Sequence, residues 1–234
     1  MEEVQYRQWR HVFKLDPDRE IDDQTLDAVC MSGTDAIIVG GSSGVTFDNT
    51  VDLMARIRRY EVPCALETTS IEAAVPGFDL YFIPMVLNSG SKEWLIDRQV
   101  EAVQAFGSFI PWQDTCAEGY IILNPASTAA RVTDAKPLTD EETLAYVRVA
   151  DRLMRMPIVY LEYSGQYGDM TLVRRAAEMM ANGRLFYGGG IDSAAKATEA
   201  AEAAHTVVVG NCIYSNLAAA VATVQAVKQT SAPS

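Results

Sequence analysis

Leu185-Phe186-Tyr187-Gly188-Gly189-Gly190-Ile191-Asp192 is an apolar run that ends in three consecutive glycines and opens onto a helical pattern. Glycine has no Cβ, so its N–H can approach an anion closely and its φ can be positive. A helix starting just beyond adds unpaired N–H groups and the positive end of its dipole. About twenty residues on, the design recurs in Thr206-Val207-Val208-Val209-Gly210-Asn211, again before an Ala-rich helix. Alone, the triple glycine fits a tight packing turn as well as a phosphate site. Its recurrence in the next unit favours two halves of one phosphate cup.

The same strand–helix alternation runs through the rest of the chain. Trp9 to Leu15 reads as a first strand, stopped by Asp16-Pro17-Asp18 because proline lacks an N–H and restricts its predecessor. Asp22 or Asp23 caps a helix to about Met31, and Ala36 to Val39 is the second strand, ending at Gly40-Gly41-Ser42. Asp48 or Asn49 starts the next helix. Further strands follow at Cys64–Glu67, Asp79–Pro84, Glu118–Leu123 and Ile158–Glu162, with helices at Glu93–Phe106, Thr139–Arg155 and Asp169–Ala181. Thr139 and Glu142 form a capping box. A last amphipathic helix spans Ala218 to Lys228.

Strands buried on both faces read as continuous apolar runs, as these do. Alternation with helices implies parallel strands and right-handed crossovers. Eight such units in 234 residues predict a single (β/α)₈ TIM barrel over residues 1–229, with 230–234 a frayed tail. A doubly wound open sheet is the runner-up. The segment Ile71 to Pro76 is short for a helix, which points to one barrel helix missing or replaced by a loop.

Composition narrows the function. A net charge of −12 argues against nucleic acid, which needs a basic face. It leaves room for an anionic substrate in a local cup. No apolar run reaches membrane-spanning length. The acidic, polar start is unlike a secretory signal, and Cys30, Cys64, Cys116 and Cys212 lack disulfide or metal spacing. They read as free thiols of a cytoplasmic protein. No basic amphipathic helix marks a membrane surface, so any membrane contact is expected to be transient.

In such barrels chemistry sits at the C-terminal ends of the strands. Those ends offer Lys14 and Asp16, Gly40 to Ser42, Glu67, Asn88, Asn124, Tyr160 to Gly165, Gly188 to Gly190, and Gly210 with Asn211. Turn chemistry alone accounts for Asn124-Pro125 and Asp16-Pro17. It does not account for Lys14 inside an apolar strand or for Glu162 between Leu161 and Tyr163, since such charges are costly unless paired or used. Lys14 has a structural alternative, an ion pair with Asp16 or Glu162. His11 and His205 lie at strand entries, and no Ser/His/Asp set supports an activated serine.

Trp9-Arg10-His11-Val12-Phe13-Lys14-Leu15-Asp16-Pro17, Gly40-Gly41-Ser42, Pro76-Gly77-Phe78-Asp79-Leu80-Tyr81-Phe82-Ile83-Pro84, Val86-Leu87-Asn88-Ser89, Tyr160-Leu161-Glu162-Tyr163-Ser164-Gly165, Phe186-Tyr187-Gly188-Gly189-Gly190-Ile191 and Val208-Val209-Gly210-Asn211 together match one pattern. The chain resembles the bacterial heptaprenylglyceryl phosphate synthases, relatives of the archaeal geranylgeranylglyceryl phosphate synthases. The Lys-Leu-Asp-Pro and Tyr-Leu-Glu-Tyr-Ser-Gly blocks carry the specificity of that match.

The resemblance implies a homodimeric, Mg²⁺-requiring TIM-barrel prenyltransferase. It would join sn-glycerol 1-phosphate to a long polyprenyl diphosphate through an ether bond and release diphosphate. It further implies that Lys14, Tyr160, Leu161, Glu162, Tyr163, Ser164, Gly165, Gly190, Gly210 and Asn211 hold glycerol phosphate, and that Asp16 and Ser42 serve the metal. Glu162 is the candidate base and Tyr160 its companion in catalysis. The prenyl tail is expected along Tyr81, Ile83, Met85, Val86 and the helix from Trp94 to Phe106, with small Ala102 leaving the groove open. A sugar-phosphate isomerase or aldolase, or a phosphate-binding barrel without catalysis, are the alternatives.

Overall fold

The computed structural model describes residues 5–70 and 74–233. Eight parallel strands close into a barrel in chain order: β1 (His11–Leu15), β2 (Ala36–Val39), β3 (Cys64–Glu67), β4 (Leu80–Val86), β5 (Thr115–Ile122), β6 (Ile158–Glu162), β7 (Arg184–Gly188) and β8 (Thr206–Val209). The β1–β8 pairing, Val12 opposite Val208, completes the ring. This is the expected (β/α)₈ barrel rather than an open sheet.

Alternation along each strand splits the buried residues into two sets. Val12, Ile38, Phe82, Tyr120, Tyr160, Phe186 and Val208 point inward and form one cluster. Phe13, Leu15, Val39, Leu66, Leu161, Tyr187 and Val209 point outward and pack under the helices. Tyr6 and Trp9 close the N-terminal end of the barrel, their rings 6.3 and 6.0 Å from that of Phe82. The opposite end is left open.

The outer layer comprises α1 (Asp23–Cys30), α2 (Phe47–Ile57), α3 (Arg98–Phe106), α4 (Thr128–Thr133), α5 (Asp140–Arg148), α6 (Met170–Met179), α7 (Ala194–Ala203), α8 (Cys212–Ser215) and α9 (Leu217–Lys228). Asp22 caps α1 and Asp169 caps α6, each side chain accepting from a backbone N–H of the first turn. The Thr139–Glu142 capping box on α5 forms as read. The start of α2 differs from the sequence reading. Its cap is Thr46, in a reciprocal box with Asn49, so Asp48 lies inside the first turn. The predicted helix over 93–106 is a π-helical turn, Glu93–Asp97, running into α3. The helix predicted to Arg155 likewise ends in a π-turn, Val149–Leu153. The short α4 and α8 carry too little periodic sequence to have been anticipated.

Between β3 and β4, residues 68–70 and 74–79 contain no helix, and 71–73 lie outside the described residues. At the C-terminus, Thr230 donates to Ala226 O at 2.8 Å, 231–233 have no regular structure, and Ser234 is not described. All four cysteines are buried free thiols. Among the described residues no helix is long and apolar enough to cross a membrane.

Candidate active site

The open end holds a cavity of about 360 Å³. Of the residues singled out in the sequence, Lys14, Asp16, Ser42, Tyr160, Glu162, Ser164, Gly165, Gly190, Gly210 and Asn211 line it. Leu161 and Tyr163 do not: their side chains face outward into the helix-packing layer, as strand alternation requires. Only their backbone stands near the mouth.

Lys14 is the centre of the inner polar layer. Its Nζ donates to Glu67 Oε1 at 2.7 Å and to the Tyr120 hydroxyl at 3.0 Å. It also sits 5.5 and 5.6 Å from the ring centres of Tyr120 and Tyr160. Burial pulls its pKa down, but the carboxylates of Glu67 and Glu162 outweigh that and leave it raised. The ammonium is therefore held charged. Its ion-pair partner is Glu67, not Asp16 or Glu162. Glu162 is reached through an intermediary: the Tyr120 hydroxyl donates to Glu162 Oε2 at 2.9 Å.

Glu162 is only 4% exposed, so these bonds stand in for the water its carboxyl group lacks. Its second oxygen accepts the Ser164 N–H at 2.6 Å and the Ser164 hydroxyl. Both carboxylate oxygens are thus oriented by fixed donors. Burial and the Glu162 charge push the Tyr120 and Tyr160 phenols well above their ordinary pKa, which keeps them protonated donors. Their rings meet edge-on, with centres 4.7 Å apart. Below them, Glu118 is fully buried with neither oxygen hydrogen-bonded. Burial first, then Glu67, raises its pKa well above the carboxylate range, favouring the neutral acid.

The triple glycine is demanded three times over. A Cβ on Gly188 would lie 2.1 Å from the Tyr160 hydroxyl oxygen. Gly189 has φ +145° and backs onto the Tyr163 main chain. Gly190 has φ +60°, and a Cβ there would lie 2.3 Å from Tyr167 N. Gly210 differs, for a Cβ there would meet nothing closer than Lys14 O at 3.5 Å. The fold leaves that space free.

On the other side of the mouth, Asp16 is pressed against Gly41, where a Cβ would fall 2.3 Å from Asp16 Oδ1. That oxygen accepts the Asp18 N–H at 3.0 Å, so the turn role and an open carboxylate edge coexist. Burial raises the Asp16 pKa, partly offset by that bond. Ser42 lines the same wall. One carboxylate and one hydroxyl make a hard, oxygen-only donor set that suits Mg²⁺ when substrate phosphates and waters complete the shell. Among the described residues no cluster of three His, Cys, Asp or Glu could close a metal site unaided.

Two residues offered by the sequence are structural. Asn88 donates to Ile122 O and Lys136 O at 2.9 Å each, and Asn124 donates to Ser164 O at 2.6 Å, pinning the β6 loop. His11 bridges Thr34 and Thr223 at 2.9 Å on either side, far below the mouth. The sequence reading missed Tyr120; Trp94, expected at the start of the groove helix, lines both the groove and the mouth. The inward phase of β5, Glu118-Tyr120-Ile122, points the Tyr120 ring into the barrel, but nothing in the sequence names its two partners.

A second groove of about 380 Å³ runs beside the mouth, sharing Thr69, Pro84 and Trp94 with it. Ile83, Gln99 and Ala102 line it. Of the expected groove residues, Tyr81 instead turns its hydroxyl to the Gly77 and Phe78 N–H groups, and Val86 faces the barrel interior.

The PcrB family model matches residues 4–228. A heptaprenylglyceryl phosphate synthase of Brevibacillus brevis is 55% identical over 228 residues, covering 97% of this chain and 99% of that protein. One from Anoxybacillus flavithermus is 56% identical over 225 residues, covering 96% and 97%. The crystal structure of (S)-3-O-geranylgeranylglyceryl phosphate synthase from Thermoplasma acidophilum, in complex with substrate sn-glycerol-1-phosphate, aligns with a TM-score of 0.84 at 24% identity, covering 95% of this chain and 94% of that one. That last likeness concerns the fold. With one family model spanning the barrel and relatives at this identity along nearly its whole length, the chain belongs to the PcrB family.

Proposed function

We propose that this chain is a heptaprenylglyceryl phosphate synthase. It joins sn-glycerol 1-phosphate to a long polyprenyl diphosphate through an ether bond and releases diphosphate. The observation that carries this reading is the continuity of three features. A glycine cup and an Asp16–Ser42 wall share one cavity with Glu162, and a lateral groove joins that cavity at Thr69, Pro84 and Trp94, giving separate places for a small phosphate, a diphosphate and a long tail.

In this reading the acceptor's phosphate lies on the N–H groups of Gly190, Gly210 and Asn211, with Tyr160 to Gly165 aiming its glycerol. The acceptor hydroxyl attacks C1 of the prenyl chain as the bond from C1 to the diphosphate oxygen breaks. Glu162 takes the hydroxyl proton, and its orientation is fixed by Tyr120 and Ser164. Charged Lys14 and the Tyr120 and Tyr160 rings offer donors and π faces to the reacting groups. Mg²⁺ held by Asp16 and Ser42 would stabilise negative charge on the leaving diphosphate. The tail leaves past Trp94 along the groove, where Ala102 keeps the path open for a long chain.

An aldolase reading would need Lys14 as a neutral amine for a Schiff base. Its raised pKa and its bond to Glu67 oppose that. The protein is proposed to act in the cytoplasm as a homodimer, meeting the membrane transiently to collect its donor. The test is radiolabelled sn-glycerol 1-phosphate with prenyl diphosphates, with and without Mg²⁺. An organic-extractable product that requires Mg²⁺ is expected. Phosphate binding without any such product would leave a barrel that binds but does not catalyse.

A further inference from the structure

The mouth must accept two strongly anionic groups, yet four of its lining residues are acids: Asp16, Glu67, Glu162 and Asp192. Its lining cations are Lys14 and Arg19. Lys14 is already matched by Glu67 at 2.7 Å. Arg19 forms no ion pair among the described residues. Its guanidinium is nonetheless held in place. The carbon at its centre sits 3.6 Å from the ring centre of Tyr214, and one terminal nitrogen donates to Asn211 Oδ1 at 2.9 Å. An exposed arginine with no such task would be free to wave in solvent. Stacking on Tyr214 fixes the plane, and the Asn211 bond uses one of five N–H donors. The rest of the fork stays available at the rim.

Arg19 is also tied to Asp16 through hydrogen bonds. Its backbone N–H donates to Asp16 O at 3.0 Å, and the Asp16 N–H donates to the Tyr214 hydroxyl at 3.1 Å. A planar cation that is fixed, unpaired and coupled to Asp16 suits bidentate capture of phosphoryl oxygens. We propose that Arg19, stacked on Tyr214, is a substrate-binding residue for the diphosphate group of the prenyl donor. This rests on the prenyltransferase reading for the donor's identity, while the anion site itself does not.

The test measures ligand binding by titration calorimetry, using inorganic diphosphate with Mg²⁺ and, separately, sn-glycerol 1-phosphate, on wild type, Arg19→Gln and Arg19→Lys. Loss of a charge-assisted pair predicts diphosphate binding weakened by about 10- to 100-fold in Arg19→Gln, with glycerol 1-phosphate changed less than about threefold. Arg19→Lys keeps the charge but loses the fork and the stack, so it falls between the two. Steady-state kinetics add KM for the prenyl diphosphate, which rises in Arg19→Gln while KM for the acceptor holds. Equal weakening of both ligands would overturn the assignment to the donor. Unchanged diphosphate binding would overturn the site altogether. If wild type made no ether product yet Arg19→Gln still lost diphosphate binding, the prenyltransferase reading would fail and the Arg19 site would stand.

Discussion

Gly210→Ala separates a glycine kept for a ligand from one kept for the fold. Val208 points into the barrel, and Gly210, two residues on, lines the same cavity. An added methyl would lie 3.5 Å from Lys14 O and 4.0 Å from Lys14 Cβ, which is ordinary contact. The backbone at Gly210 is not in the left-handed range. The expected change in stability is therefore within about 0.5 kcal/mol. The methyl projects into the space assigned to the acceptor's phosphate. Losing one charge-assisted hydrogen bond there costs about 1.5–3 kcal/mol, or about 10- to 150-fold in affinity. Gly190→Ala is the contrast, because φ is +60° and the methyl would meet Tyr167 N at 2.3 Å. That strain predicts a stability loss of about 1–3 kcal/mol. Thermal unfolding and calorimetric titration of sn-glycerol 1-phosphate read both quantities. Gly210→Ala that stays folded and binds the acceptor like wild type would refute the phosphate cup.

Glu162→Gln keeps shape but cannot serve as a base. Turnover should fall about 100- to 10,000-fold with acceptor binding retained, and near-normal turnover would remove the base role. Ala102→Trp should shift the preferred prenyl diphosphate to a shorter chain in competition assays, and an unchanged preference for the longest donor would sink the groove assignment. Acid stability follows the histidines. Burial depresses His11 to about 3, and burial with Arg184 and Arg10 depresses His205 to about 4, from 6.5. The unfolded chain therefore binds more protons below pH 6.5, and stability should fall with pH by up to about 1.4 kcal/mol per unit for each histidine until its folded value is reached. His11→Gln should flatten that slope in denaturant titrations across pH 6.5 to 4.

The barrel was legible because its strands are short apolar runs stopped by glycine, proline or asparagine, and β2, β3, β6 and β8 fall where the runs predicted. Glu162 and Lys14 stood out as charges inside such runs, and both line the mouth. Their partners were not legible. Glu67 is 53 residues from Lys14, and only strand register across β1, β2 and β3 brings them together. Tyr120 looks like an ordinary strand aromatic until the barrel closes and its hydroxyl meets both Lys14 and Glu162. Arg19 reads as a solvated loop charge, because its value comes from Tyr214 and Asn211 at the far end of the chain. The α2 cap was misplaced because Thr46 pairs with Asn49, where the usual signature has Glu or Gln.

The most direct test of the account is a crystal structure of this protein with sn-glycerol 1-phosphate bound. The account predicts the phosphorus over the Gly190 and Gly210 N–H groups beside Asn211, with a glycerol hydroxyl within hydrogen-bond reach of Glu162. A phosphate seated against Asp16 and Ser42 instead, with the glycine cup empty, would contradict it.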